Sequence, residues 1–446
     1  MADGRNGKPQ GRSRIPPGPQ IGPKNAIANE HRLVALGDAV DRQSGVQQRR
    51  HRPVRPGRRR RRVIISLVTV VAVIVAVLGG GYLYANYRFG QIPKIHVAGE
   101  LPQLTGKPFN ILEIGSDSRA GLTGKVAVAT GATTTPGQRS DVVKIMHIDP
   151  QAGTISVLSI PRDTVVTLLA NQSLYGNANR INVNFSNGPS LLAQTITANF
   201  GIPIQHVIVV SFAGLINSID AIGGIYLDFR FPAKDEFSGL NIKTTGCQLV
   251  TRFQALAVAR SRHYEWYQNG VWNFDGTSDF GRINRQDAFM RAMINRVRGL
   301  YNPLSINSFL SKIPQGITLD DKFTLTELIA MAVKFHGMNP SSMLTYTLPT
   351  NAVNGTSLGD VLDVAEPAAQ QMLVNLYGSS LLTPTNPPPN ASGQTPLPPH
   401  VTPTTTTSTT TTVKKATGPT SSTSTTTTTI NPSQAIPSFD PVPCSP

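Results

Sequence analysis

Cysteine is scarce in this chain of 446 residues: there are two, Cys247 and Cys444. Two cysteines exclude a disulfide framework and leave room for one bridge at most. Cys444 lies in a Thr- and Pro-rich stretch with no expected core, which weighs against even that one. No CxxC or HxxxH spacing occurs, which argues against a zinc site. The histidines are scattered, and no convincing Ser-His-Asp order stands out. Acidic residues are also few, 25 against 41 Lys and Arg, giving a net charge of +16.

Such a charge first suggests a nucleic-acid binder, but its distribution argues otherwise. Residues 1–62 hold 16 Lys/Arg and 4 Asp/Glu, so this tail carries +12 and leaves +4 for everything else. The tail ends in RRHRPVRPGRRRRR (Arg49–Arg62) and is followed at once by VIISLVTVVAVIVAVLGGGYLYA (Val63–Ala85). The second run has no charged residue and meets the roughly 20 residues needed to cross a bilayer core. It is too long for a typical signal-peptide core and lacks a clear cleavage site, so it reads as an uncleaved signal-anchor. Tyr82, Tyr84 and Tyr87 lie at its far end like interfacial anchors, and the arginines precede it. The expected location is the plasma membrane, single-pass, with a cytoplasmic N-terminus and the rest outside. Anionic membrane lipid, rather than nucleic acid, is the expected partner of the arginines.

Four regions result. Residues 1–62 read as a disordered basic cytoplasmic tail and 63–85 as a transmembrane helix. Residues 95–378 form the folded domain, and 379–446 read as a disordered Pro/Thr/Ser-rich tail or stalk. Within the domain, FNILEIG (Phe109–Gly115) reads as a strand, and VVKIMHID and TISVLSIP as a hairpin around PQAG. HVIVVSFAGLINSIDAIGGIYLDF reads as strand, helix, Gly-Gly stop and strand. INRQDAFMRAMINRVRGL has Ile283, Phe289, Met293, Ile294 and Val297 at helical spacing, and Thr324–Gly337 gives a further helix. Alternating strands and helices indicate an α/β domain with a helix-covered sheet.

Four polar clusters sit at element ends. GSDSRAG carries Asp117 and Arg119, although Gly, Ser and Asp would also make an ordinary turn. GQRSDVV carries Arg139 and Asp141, and SIPRDT carries Arg162 and Asp163. ALAVARSRH ends in Arg260 and Arg262, and DFGRINRQ follows with Arg282, Arg285 and Gln286. Two loop carboxylates suit a hard cation, Mg²⁺ with Mn²⁺ as the alternative, which takes carboxylate and phosphate oxygens. Guanidinium forks match phosphate oxygens two at a time. The set reads as metal-assisted phosphoryl or pyrophosphoryl chemistry.

These stretches, with RINVNFSNG between them, occur in the order that marks the LytR-CpsA-Psr (LCP) proteins, which the chain resembles over about Asn110 to Val297. The resemblance implies a mixed central β-sheet flanked by helices, with a hydrophobic groove for a polyprenyl chain. It implies a phosphotransferase outside the cytoplasm. The donor is a glycopolymer on a polyprenyl-pyrophosphate carrier, the acceptor is a peptidoglycan sugar hydroxyl, and polyprenyl phosphate is released. By motif, Asp117 and Asp141 would hold Mg²⁺, and Arg139 and Arg162 would neutralise phosphate. Arg260 and Arg262 would bind the pyrophosphate, with Arg282 and Gln286 ordering its head group. Arg180 stands where many members carry lysine. The general base is not assigned; Asp163 and the metal-binding aspartates are the candidates. Two alternatives are a pyrophosphatase on the same lipid and a non-catalytic envelope regulator or wall-binding scaffold. The sequence does not name the polymer: wall teichoic acid, capsule and arabinogalactan all fit, and the Pro/Thr stalk and Arg-rich tail favour arabinogalactan.

The chain departs from the family pattern in VTRFQAL, which lacks the usual Gly, and in a long link from His263 to Gly281. The aromatics of that link, Tyr264, Trp266, Tyr267 and Trp272, would either line a sugar-acceptor site or pack on themselves. The sharpest structural expectation concerns Arg260 and Arg262. Helical geometry should stop by about Ala259, so that an extended segment aims both guanidinium groups at one pyrophosphate. A reporter fused after Pro446 should be active only outside the cytoplasm; activity inside would reverse the orientation.

Overall fold

The computed structural model describes residues 56–103, 106–116, 140–299, 303–314, 316–389 and 437–445. Asp117, Arg119 and Arg139 therefore lie outside the described residues, as do most of the basic tail and the Thr-rich run. The helix Pro56–Phe89 begins with proline, whose missing N–H costs nothing in a first turn. Its segment Arg59–Phe89 is long and apolar enough to cross a membrane, and the expected span 63–85 lies within it.

The main sheet has seven strands, in the order Lys94–Ile95, Ile317–Asp320, His206–Ser211, Phe109–Ser116, Ser140–Asp149, Thr154–Ser159 and Leu344–Thr347. Three neighbouring pairs are parallel and three antiparallel, which makes it the expected mixed sheet. The predicted hairpin around Pro150–Gly153 is present, with Ile148 opposite Ile155. Alternation sends Leu112, Ile114, Val143 and Ile145 to one face, where they pack on the helices Pro189–Phe200 and Ala368–Tyr377. Each such fully buried aliphatic side chain contributes about 1.5–3 kcal/mol.

The intervening residues of the same strands point the other way. There Glu113, Gly115, Val142, Lys144 and Met146 form the floor of a groove. A smaller sheet continues the domain beside it. Ile225–Phe229 pairs with Gly246–Val250, and the helices Phe212–Ile222, Arg252–Arg260 and Asp279–Arg298 complete its core. The Gly-Gly stop behaves as read: Gly223 is left-handed at φ 74 and caps the helix before the chain re-enters a strand.

Composition placed one tail over 379–446, and packing divides that region differently. Leu382 N–H donates to Gly201 O and Asn386 N–H to Ala198 O, so the chain stays docked past 379. It docks again at the far end. Val442 and Pro443 pair with Asp228 and Leu227, and Cys444 is bonded to Cys247. Phe439 stacks on Trp266 with centroids 4.0 Å apart. Composition missed this because nine residues supply no periodicity of their own; their partners lie about 200 residues away, the bridge itself spanning 197.

Cys444→Ser should lower the unfolding free energy by about 2–4 kcal/mol. Thermal or denaturant melts of the oxidised protein, with and without the substitution, check this; identical melts would show the bridge to be idle.

Candidate active site

The groove is a cavity of about 610 Å³, within the size range of small-molecule sites. Sheet residues form its floor, and Phe289, Met290, Met293 and Ile294 of the helix Asp279–Arg298 form an apolar wall. Gly115 is required in the floor, since a Cβ there would stand 2.6 Å from Val142 Cβ. Asp141, Arg260, Arg262, Arg282 and Gln286 line the same cavity. An apolar trough that meets several guanidinium groups suits an amphiphile with an anionic head.

The arginine pair depends on how its helix ends. Helical geometry runs through Arg260, one residue beyond the expected stop, and Ser261 is extended at φ −66, ψ 121. A buried carboxylate enforces the change. Asp235 accepts the N–H groups of Arg262 at 3.0 Å and His263 at 2.9 Å and the Ser261 hydroxyl at 2.7 Å. Its other oxygen accepts the N–H groups of Phe237 and Ser238. Burial alone would raise this carboxyl, but the hydrogen bonds from Ser261, His263, Ser238 and Arg262 hold it below the usual carboxylate range. On the other side, Gln286 Nε2 donates to Ala259 O at 3.0 Å and Arg285 Nη2 to Ser261 O at 3.1 Å. The turn is therefore held from both sides, and Arg260 and Arg262 reach one cavity. Arg260 also rests over the Phe212 ring, 5.3 Å from its centroid.

Carboxylates hold the remaining arginines in series. Asp279 accepts from Arg262 Nη2 at 2.6 Å and pairs with Arg282 Nη2 at 2.7 Å. Arg282 Nη2 also donates to Asp141 O, and Asp141 Oδ1 accepts from Arg162 Nη1 at 2.6 Å. Burial would raise the Asp141 carboxyl, yet Arg282 and Arg162 hold it below its ordinary value. Asp163 lies between Arg162 and Arg180, 3.3 Å from each. Arg180 turns its far nitrogen to the carbonyls of Leu358 and Asp360.

The predicted residues thus separate. Asp141, Arg260, Arg262, Arg282 and Gln286 meet at the cavity, and Arg162 joins through an adjoining small pocket. Asp163 and Arg180 line neither space and stand behind Arg162. Gln286 is 9% exposed and spends its amide on Ala259, so its contact is to the helix end.

Sequence reading missed Asp235, Asp279 and the buried Lys144, whose Nζ meets Ser159 Oγ at 2.7 Å and the Asp287 carboxylate. The turn-like AKDEFSG around Asp235 was a signal, but it gave no hint of partners 26 to 28 positions on. In the aromatic link, Tyr264 is buried and Trp266 lies on Phe439, so these two pack inward. Tyr267 and Trp272 remain exposed.

A family model described as LytR_cpsA_psr matches residues 91–377. The probable cell wall biosynthesis protein LcpB of Corynebacterium glutamicum is 27% identical over 273 residues, 60% of this chain and 60% of that protein. The polyisoprenyl-teichoic acid–peptidoglycan teichoic acid transferase TagV of Bacillus subtilis is 28% identical over 263 residues, 57% of this chain and 60% of that protein. The chain thus spans about 60% of the length of these curated relatives. A solved LytR-Csp2A-Psr enzyme from Actinomyces oris shares the fold at a TM-score of 0.51 and 20% identity, covering 66% of this chain and 97% of that one.

Asp235→Ala leaves four N–H groups and a hydroxyl without their acceptor, and should cost at least about 2 kcal/mol in denaturant unfolding. The pH dependence has a definite sign. A carboxyl depressed in the folded state stabilises above its unfolded value, 3.8, and that stabilisation is lost as pH falls below it. Wild type should therefore lose stability in acid more steeply than Asp235→Asn. Parallel pH profiles would remove Asp235 from this role.

Proposed function

The chain belongs to the LytR_cpsA_psr family, and on that premise we propose that it is a glycopolymer phosphotransferase of the cell envelope. The donor is a glycopolymer on a polyprenyl-pyrophosphate carrier and the acceptor a peptidoglycan sugar hydroxyl. One observation carries the reading: the extended turn at Ser261 puts Arg260 and Arg262 at the same apolar groove, beside Asp141 and Arg282.

In this reading the polyprenyl chain lies along Met290, Met293 and Ile294, and the pyrophosphate meets the arginines. The acceptor oxygen attacks the phosphorus that carries the glycan, and the bond from that phosphorus to the bridging oxygen breaks. Polyprenyl phosphate leaves with the bonding electrons, and the hydroxyl proton is released. Arg260, Arg262 and Arg282 offset the charge that grows on the departing phosphate. Asp279 holds Arg262 and Arg282 in place beforehand, and Arg260 rests over the Phe212 ring, so little reorganisation accompanies the reaction. We assign Asp163 the task of holding Arg162 and Arg180, because it stands behind Arg162 rather than on the cavity wall.

The carboxylate chemistry of Asp141 suits Mg²⁺. Asp141 lines the cavity and would offer an oxygen ligand, and its neighbours Arg282 and Arg162 favour the ionised form. Asp117 would supply the second carboxylate. The cation would supply positive charge that lowers the repulsion met by an incoming hydroxyl. The disulfide supports the expected orientation, since such bonds persist in oxidising compartments outside the cytoplasm.

Arabinogalactan is the polymer to try first. In a purified system with Mg²⁺ and peptidoglycan, lipid-linked arabinogalactan and lipid-linked teichoic acid are compared as donors. Wild type should join one of them to peptidoglycan, and Arg262→Ala should reduce that rate by about 10²–10³. Release of the glycan phosphate into water alone would make the protein a pyrophosphatase, and a wild-type rate in Arg262→Ala would remove the arginine from the site.

A further inference from the structure

Arg285 lies one turn along from Arg282, yet its guanidinium does not enter the cavity. It is fully buried. Nη1 donates to Asp275 Oδ2 at 2.9 Å and to Asp440 Oδ1 at 2.6 Å, and Nη2 donates to Ser261 O at 3.1 Å. The Tyr264 ring lies under it, 4.6 Å from centroid to Cζ. Ser261 is the residue between the two cavity arginines. Asp440 belongs to the far C-terminal segment, beyond the residues that match the family. We propose that Pro437–Ser445 is a working part of the phosphate-binding site, with Asp440 the positioning residue that sets Arg260 and Arg262 through Arg285 and the Ser261 carbonyl.

The surroundings leave little freedom for another arrangement. Asp275 Oδ1 accepts the N–H and hydroxyl of Thr277, which fixes the approach to the helix that bears Arg282. A Cβ on Gly281 would stand 2.1 Å from Asp275 Oδ2 and 2.8 Å from Arg285 Nη2, so the pair is pressed against the helix backbone. Arg285 cannot drift without moving Asp275, Ser261 or Asp440. With Asp440 gone, one of the three acceptors that aim it is lost at a fully buried guanidinium.

The segment is itself held by ties remote from the cavity. These are the Cys247–Cys444 bond, the pairing of Val442 with Asp228, the stacking of Phe439 on Trp266 and the Tyr264 hydroxyl bond to Phe439 O. Two carboxylates share one buried guanidinium, and this has an electrostatic consequence. Burial lifts the Asp440 carboxyl to about 6, with Arg285 opposing the rise and Asp275 adding to it. Removing the charge alone leaves Arg285 paired one to one with Asp275, so Asp440→Asn, which keeps an oxygen acceptor, separates geometry from charge.

The proposal rests on the reading of Arg260 and Arg262 as phosphate ligands, and the test keeps the two apart. Farnesyl pyrophosphate is titrated into the full chain in detergent, and amide exchange is followed at Arg262 and His263. Asp440→Ala should raise Kd about tenfold, the scale seen when the group behind a ligating residue is removed. It should also speed exchange at those two amides, while Asp440→Asn stays close to wild type. A second arm avoids any folding defect. A protease site placed within 390–436 is cut in the folded protein, and the disulfide is then reduced to release the segment. Release should produce the same rise in Kd and the same faster exchange. Unchanged Kd and exchange after release, or in a folded Asp440→Ala protein, would overturn the proposal. If wild type bound no pyrophosphate, the phosphate reading would fail, and exchange at Arg262 and His263 would still decide whether Asp440 sets the turn.

Discussion

Crowding guanidinium groups at one rim costs electrostatic energy before any ligand arrives, and the site depends on how that cost is offset. Here Arg162, Arg180, Arg262 and Arg282 are each matched to an oxygen that belongs to the protein. Asp279 holds Arg262 and Arg282, Asp141 holds Arg162, and Asp163 lies between Arg162 and Arg180. The carboxylates lower the repulsion and fix the forks in one geometry. Arginine outnumbers its carboxylate partners in this series, so the rim keeps a surplus of positive charge for an anion. An isolated ion pair of partly exposed groups contributes little to stability; the value of these pairs lies in where they put the nitrogens.

The apolar half of the site follows from strand alternation. One face of the central strands fills the core, and the other carries Val142, Met146 and Ile208 into the groove. The same alternation places Lys144 there, and burial forces it to find Ser159 and Asp287. Glu113 lies beside this pair, where burial raises its carboxyl while Lys144 pulls it down. A polar knot thus sits under a trough otherwise suited to hydrocarbon.

The C-terminal segment changes how the long aromatic link should be understood. In sequence Tyr264 and Trp266 could either line a sugar site or pack on their own link; both are committed to the returning chain. The link, the segment and Arg285 form one packed unit, tied through the Ser261 carbonyl to the turn that carries Arg260 and Arg262.

Much of this was written into local sequence. The apolar span, the strand-and-helix order, the Gly-Gly stop and the ordered polar clusters each rest on residues within a few positions of one another, where periodicity and turn chemistry act. The site residues Asp141, Arg260, Arg262 and Arg282 were legible for the same reason: each sits at the end of an element whose type was readable. Asp235, Asp275 and Asp440 were not. A buried carboxylate gains its role from donors supplied by distant segments, and the sequence records neither those distances nor the burial that makes the contacts strong. The Cys247–Cys444 bond is the same case, since two cysteines 197 residues apart become neighbours only once Gly246–Val250 and Val442–Pro443 flank the same strand.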